Sequence, residues 1–192
     1  MTDISVRELP IFPLPEVVLF PQEVLPLHIF ESRYRIMLQS VLEADNRFGV
    51  VRWNPISKQI SNVGCCAQII KHQTSDDGRS NIVTMGQQRF RILEIIRKAP
   101  YYSAMVTWID DIPVENTDDL QKLSQTVLIA LRDLVSLTGK LVDQEKVLPE
   151  GLPDMPRELS FWIGAHLGGP AAEEQQHLLE MLDTSHRLQR EY

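Results

Sequence analysis

The sequence predicts an α+β protein in which a β-rich lobe precedes a helical one, and three observations carry that expectation. The opening is an apolar run punctuated by prolines, Leu9-Pro10-Ile11-Phe12-Pro13-Leu14-Pro15, then Phe20-Pro21 and Pro26-Leu27-His28-Ile29-Phe30. Five runs between Arg47 and Ile109 have the length and the β-branched and aromatic composition of strands. Past Asp110 the β-branched clusters give way to leucines at helical spacing.

Proline cannot donate to a β-ladder, so the opening reads as short edge strands and crossing segments of a small closed or nearly closed sheet. One helix interrupts the sheet: from Ser32, apolar Tyr34, Met37, Leu38, Val41 and Leu42 recur at helical spacing, with Asn46 and Gly49 at the exit. The strand runs that follow are Arg47 to Trp53, Val63 to Lys71, Asn81 to Met85, Gln88 to Ile96 and Tyr101 to Ile109. Asp77-Gly78 is a hairpin-turn signal, and Gly86 between two runs suggests a bulge or sharp bend.

The lobe boundary falls at 110–116, giving a β-rich lobe over 1–110 and a helical lobe over 117–192. Thr117 is the expected N-cap of a helix whose stripe is Leu120, Leu123, Val127, Leu131, Leu134 and Val135, ending near Gly139. Lys140 to Met155 reads as loop with a short helical piece. A helix from about Pro156 to His166, closed by Gly168-Gly169, another from about Ala171 to Leu182, and a short terminal one after Asp183-Thr184-Ser185 complete the lobe.

Charge is unevenly placed. Through Ile109 there are 12 Lys and Arg against 10 Asp and Glu; from Asp110 onward 7 bases face 16 acids. An acidic second half argues against broad nucleic-acid or anionic-membrane binding, which needs concentrated positive potential. No apolar run reaches the roughly 18 residues of a membrane span, and the start lacks the pattern of a signal peptide. A cytoplasmic location is the expectation. The two cysteines, Cys65 and Cys66, are neighbours that point to opposite faces of a strand, so no disulfide is expected between them, in keeping with reduced thiols.

The stretch FPLPEVVLFPQEVLPLHIFESRYRIML, from Phe12 to Leu38, resembles the opening of the Lon N-terminal domain, the substrate-recognition domain that precedes the ATPase and peptidase of Lon proteases. Gly64-Cys65-Cys66-Ala67-Gln68-Ile69 is similar to that family's G-[TS]-x-A-x-I strand, with Cys65 where Thr or Ser is usual. Asp77-Gly78-Arg79 and Gly86-Gln87-Gln88-Arg89-Phe90-Arg91-Ile92 resemble its D-G-x and G-x-x-R-F-x-I segments. The tail, Leu159 to Leu167 and then Glu174 to Asp183 with Arg187-Leu188, resembles its E-x-Q-x-L-L-E-x-x-D-x-x-x-R-L ending. The resemblance implies a PUA-like β-barrel lobe with one inserted helix and a C-terminal helical bundle, together one Lon N-terminal-type domain, here as a stand-alone prokaryotic type without ATPase and peptidase.

Catalytic signatures are missing. Gly139-Lys140 is followed by Leu141, and Leu134 stands where a phosphate-binding loop needs its first glycine. Gly78-Arg79-Ser80-Asn81-Ile82 lacks the closing glycine of a nucleophile elbow and reads as a hairpin tip. His28, His72, His166, His177 and His186 show no metal-ligand spacing, and neither cysteine has cationic neighbours that favour a thiolate. No catalytic residue, metal or cofactor is expected.

Surface recognition remains. Phe48, Trp53, Tyr101 and Tyr102, with Trp108, supply aromatic residues from which an exposed subset would line a groove for unfolded polypeptide. Aromatic strand residues usually pack inward, so each also has a core reading. Trp53 ends a strand before Asn54-Pro55 and is the best exception. Arg33 and Arg89, with Arg35 and Arg91, would meet acidic partners or be solvated faces. The expectation is a non-catalytic polypeptide-binding module, an adaptor to a separate protease or chaperone or a sensor of damaged proteins. Two alternatives stand beside it: an RNA-binding PUA-like protein, for which a continuous basic strip is required, and the recognition subunit of a split ATP-dependent protease.

Overall fold

The structure is a computed structural model that describes residues 5–141, 148–166 and 172–192. Its elements are β1 (Val6–Pro15), β2 (Val24–Ile29), α1 (Ser32–Leu42), β3 (Arg47–Asn54), β4 (Gln59–Ile60), β5 (Val63–Thr74), β6 (Ser80–Arg97), β7 (Tyr102–Ile109), α2 (Thr117–Leu141), α3 (Pro156–His166), α4 (Ala172–Glu180) and α5 (Thr184–Glu191). The class is α+β, with a mostly antiparallel sheet, an inserted helix and C-terminal helices. Two compact units result: the described residues up to Asp110 together with α4, and those of 111–166 together with 181–192.

In the first unit β1-β7-β6-β5-β3 run in sequence around a ring that the parallel β1–β3 pairing closes. The prolines of β1 fit this arrangement. Val6 to Ile11 pair with β7 and Ile11 to Pro15 pair with β3, so only Ile11 has strand neighbours on both sides. At Pro10, Pro13 and Pro15 one edge needs no ladder donor, and the missing N–H is tolerated.

Alternation along the strands separates two cores. Leu9, Ile11, Val51, Cys66, Phe90, Ala104 and Val106 come from all five ring strands and fill the interior. Their sequence neighbours Phe12, Val50 and Cys65 face outward, where they meet Tyr34, Met37, Leu38 and Val41 of α1. Cys65 and Cys66 are free and buried, one in each core, as their adjacency requires. Glycine makes the interior fit: a Cβ on Gly64 would lie 2.3 Å from the Val50 carbonyl oxygen, and one on Gly49 would lie 2.6 Å from the Phe90 ring.

The two runs split at Gly86 form one 18-residue strand, β6, that bends there. Cys65 is opposite Arg89 and Ala67 opposite Gly86, so two residues of β6 face one of β5, which is a bulge. The bend lets β6 pair with β2 through 80–85 and with β7 beyond Arg89. Gly78, at φ +79°, turns the β5–β6 hairpin. The exit from α1 uses Asn46 in the left-handed region, whereas Gly49 lies inside β3. Arg89, 1% exposed, donates from Nη1 to the Leu179 carbonyl at 2.8 Å, and Gln176 Nε2 donates to the Val63 carbonyl at 3.1 Å, so α4 is hydrogen-bonded to the strands of its own unit.

In the second unit Val127 and Leu131 of α2, Leu159 and Ile163 of α3, and Leu188 of α5 form the core. Beside it Arg187 is fully buried: its guanidinium pairs with the Asp111 carboxylate and donates to the Ser160 hydroxyl and the Met181 carbonyl. Thr184 also donates to Asp111. Asn116 rather than Thr117 caps α2, its Oδ1 accepting from the Asp118 and Asp119 N–H groups, and Asp183 caps α5 by accepting from the His186 N–H. Of the expected loop, 148–155 carry no helix and 142–147 lie outside the described residues, as do Gly168-Gly169 and Ala171. No described helix is long and apolar enough to cross a membrane.

Candidate functional site

The strand-rich unit carries a cavity of about 430 Å³ whose lining is mostly apolar, aromatic or proline, with His28, Glu31 and Arg33 as its other members. One wall is the end of β1, from Phe12 to Pro15. The other is the end of β2 with the following turn, from Leu27 to Glu31. Arg33 and Tyr34 of α1, Trp53 of β3 and Tyr102 of β7 complete it. The opening exists because β2 pairs with β6 alone, so its other edge has no strand partner among the described residues. Pro13 and Pro15 leave the β1 wall short of backbone donors, so the groove offers side-chain contact more than a free ladder edge.

Trp53 is a half-buried lining residue of the groove, fixed by its strand pairing. It stands opposite Pro15 in β1 and Ile60 in β4, and the turn after it is fastened by Asn54, whose Oδ1 accepts from the Ile56 and Ser57 N–H groups. Phe30, 58% exposed, stacks on His28 at 5.9 Å, and His28 Nδ1 is 2.7 Å from the Asn81 Oδ1. Arg33 donates to Glu31 at 2.9 Å and lies over the Tyr34 ring, 4.6 Å from its centroid. Tyr34 meets Phe12 edge to face at 4.2 Å. Burial, opposed by Arg33, pushes the Tyr34 hydroxyl above its ordinary range, so it stays protonated at neutral pH.

Of the residues singled out in the sequence, Trp53, Tyr102 and Arg33 come together in this groove. Phe48 is fully buried against Phe12 in the outer core. Tyr101 is buried, its ring beneath Arg97 and its hydroxyl donating to Ser40 Oγ at 3.3 Å, which ties the β6–β7 turn to α1. Arg89 is enclosed under α4. These three present no surface to a partner in the groove. Sequence reasoning missed Phe30, Leu27, Pro13 and Pro15. The signal for Phe30 was the alternation of β2, in which Val24, Pro26, His28 and Phe30 share one exposed face.

Burial raises the thiol of Cys65 well above its ordinary value and that of Cys66 to about 11, so both are thiols at neutral pH and pack as small apolar groups. Among the described residues no three His, Cys, Asp or Glu side chains gather in a metal-binding arrangement.

Residues 8–192 match the family model described as the ATP-dependent protease La (LON) substrate-binding domain. Similar curated proteins include Lon protease 2 of Myxococcus xanthus, 27% identical across 94% of this chain and 22% of the relative, and the Lon protease of Escherichia coli K12, 24% identical across 95% of this chain and 24% of the relative. The chain therefore spans about a quarter or less of the length of such relatives. Two solved structures share the fold: a Lon N-terminal domain protein from Xanthomonas campestris, with a TM-score of 0.68 at 22% identity, and the N-terminal domain of a Mycobacterium avium complex Lon protease, with 0.70 at 16%. Each is covered over 96% of both chains. With its ring of strands, inserted helix and C-terminal helices matched from residue 8 onward, the chain belongs to the family of Lon substrate-binding domains.

Proposed function

We propose that this chain is a non-catalytic polypeptide-binding module that takes extended, apolar and aromatic segments of unfolded or damaged proteins into the groove walled by β1 and β2. The observation that carries the reading is the groove's lining: Trp53, Tyr102, Phe30 and Leu27 offer rigid contact area between proline-rich walls, with Glu31 and Arg33 as a mixed-charge rim. A site of this kind selects for exposed hydrophobic chain rather than for one sequence, as a quality-control adaptor or sensor acting with a separate protease or chaperone requires. The RNA alternative finds less support. Arg52 and Arg89 are buried, and Arg7, Arg33 and Arg79 are paired with Asp45, Glu31 and Asp77, which breaks up a basic strip.

The test is Trp53→Ala, assayed for capture of a reduced, denatured client and for thermal stability side by side. The expected outcome is about 1–2 kcal/mol weaker capture, the range of an interface anchor, with a fold that still melts cooperatively. Lost stability with unchanged binding per folded molecule would reject Trp53 as a recognition residue.

A further inference from the structure

The helical unit carries a second groove, of about 380 Å³, chemically unlike the first. Its wall is a stripe of α2 in which Ala130, Leu134 and Leu137 follow one another at helical spacing, with Ile163 of α3 at its base and Glu191 of α5 at its end. Leu134 and Leu137 are 52% and 58% exposed, and Leu141, next on the same stripe, is 86% exposed. Seven residues of helix extend the apolar strip by about 10 Å, the footprint of two turns of a partner helix. Both carboxyl oxygens of Glu191 are out of contact with solvent, and neither meets a hydrogen-bond donor. A covered carboxyl without a donor is destabilising, and such a group in a native structure calls for a partner.

We propose that this groove seats an amphipathic helical segment of a partner polypeptide that carries a lysine or arginine within its apolar stripe, the leucine strip taking the apolar side chains and Glu191 the cation. The sign of the partner follows from charge. Asp133 is the ionisable side chain on the α2 wall, and from Asp110 onward 16 acids outnumber 7 bases, so an approaching basic segment is attracted on balance. A second copy of this chain is the poorer occupant, because the groove's lining carries Asp133 and Glu191 and no lysine or arginine to offer a copy's carboxyl. Arg187 of α5 acts on Glu191, and the groove around it is shared with Asp133 from α2, the apolar Ile163 from α3 and Tyr192, which follows α5. Burial outweighs Arg187 and raises the Glu191 carboxyl to about 9, so in the free protein it holds a proton at pH 7 that an entering cation displaces.

The probes are four helical peptides of leucine, alanine and glutamine, identical except that the central residue of the leucine face is lysine, glutamine, norleucine or glutamate. They are titrated into the full chain with methyl and backbone NMR shifts as the readout. The lysine peptide is expected to bind at least tenfold tighter than the glutamine peptide, with shifts at Leu134, Leu137 and Ile163, and to tighten further between pH 7 and pH 9. Glu191→Gln is expected to erase the lysine preference, and Leu137→Ser, a change at an exposed position, to weaken every peptide severalfold without unfolding the chain. Equal binding of the lysine and norleucine peptides, a lysine preference that survives Glu191→Gln, absence of saturable binding, or self-association through this face would each overturn the proposal. Trp53→Ala is expected to leave all four affinities unchanged, so the outcome is independent of the β1–β2 groove.

Discussion

The two grooves of this molecule differ in how they treat their polar groups. In the strand-rich unit the charged side chains of the lining pair with each other, Arg33 with Glu31, and His28 meets Asn81 beside it. In the helical unit Glu191 sits at the end of a leucine strip with no donor. A satisfied apolar wall asks nothing specific of its occupant, and it suits a binder of many exposed segments. An unsatisfied carboxyl asks for a cation, and it suits a defined partner.

The bluntest way to break this comparison is to cut the chain after residue 110. Such a fragment lacks α4, removing the Leu179 carbonyl from Arg89 and the Gln176 amide from the Val63 carbonyl and uncovering the strands beneath Leu178 and Leu179. It is expected to aggregate in size-exclusion chromatography. A monomeric fragment with an unchanged melting curve would show that the strand-rich unit needs no helix from the second half.

Next in size is Arg187→Ala, which leaves the Asp111 carboxylate buried and loosens α5, the helix that holds Glu191 in its groove. Removing one partner of a buried ion pair costs about 3–5 kcal/mol. Urea denaturation checks the figure, and a loss below about 1 kcal/mol would mean that the helical unit stands on its leucines alone.

Glu191→Gln sharpens the contrast through pH. The carboxyl titrates near 9 in the fold against an ordinary value of 4.5, so folding takes up a proton between those limits and wild-type stability falls as pH rises from about 4.5 towards 9. Glutamine does not titrate. The variant is expected to melt with wild type near pH 4.5 and to exceed it increasingly towards pH 9, by on the order of 1–3 kcal/mol at neutrality. Parallel pH profiles would show that Glu191 is not buried in the way described.

The smallest expected effect belongs to Phe30→Ala. Its ring is more exposed than buried, so stability is expected to change by under about 0.5 kcal/mol while capture of a denatured client weakens by about 1 kcal/mol. Unchanged capture in a fluorescence titration would confine recognition to the Trp53 and Tyr102 side of the groove.

Much of this protein is local and therefore readable in one dimension. The order of strands and helices, the α1 stripe from Tyr34 to Val41, the Asp77-Gly78 hairpin and the bulge at Gly86 follow from periods of two and 3.6 residues and from where glycine is required. The family is readable for the same reason, since the segments that resemble it are short and follow one another along this chain. What the sequence left open depends on which way a strand faces once the ring closes. Phe48 and Trp53 are five residues apart in β3, yet one is sealed beneath α1 and the other stands at a groove, because β3 ends where the β1 and β2 walls part. Arg89 looks like any surface arginine until α4 is found to lie over it, ninety residues later in the chain. Glu191 looks like an ordinary terminal glutamate until α2 and α3 remove its water. Local periodicity determines which elements form; contacts between residues distant in sequence decide which side chains are left facing outward, and these are the ones a partner meets.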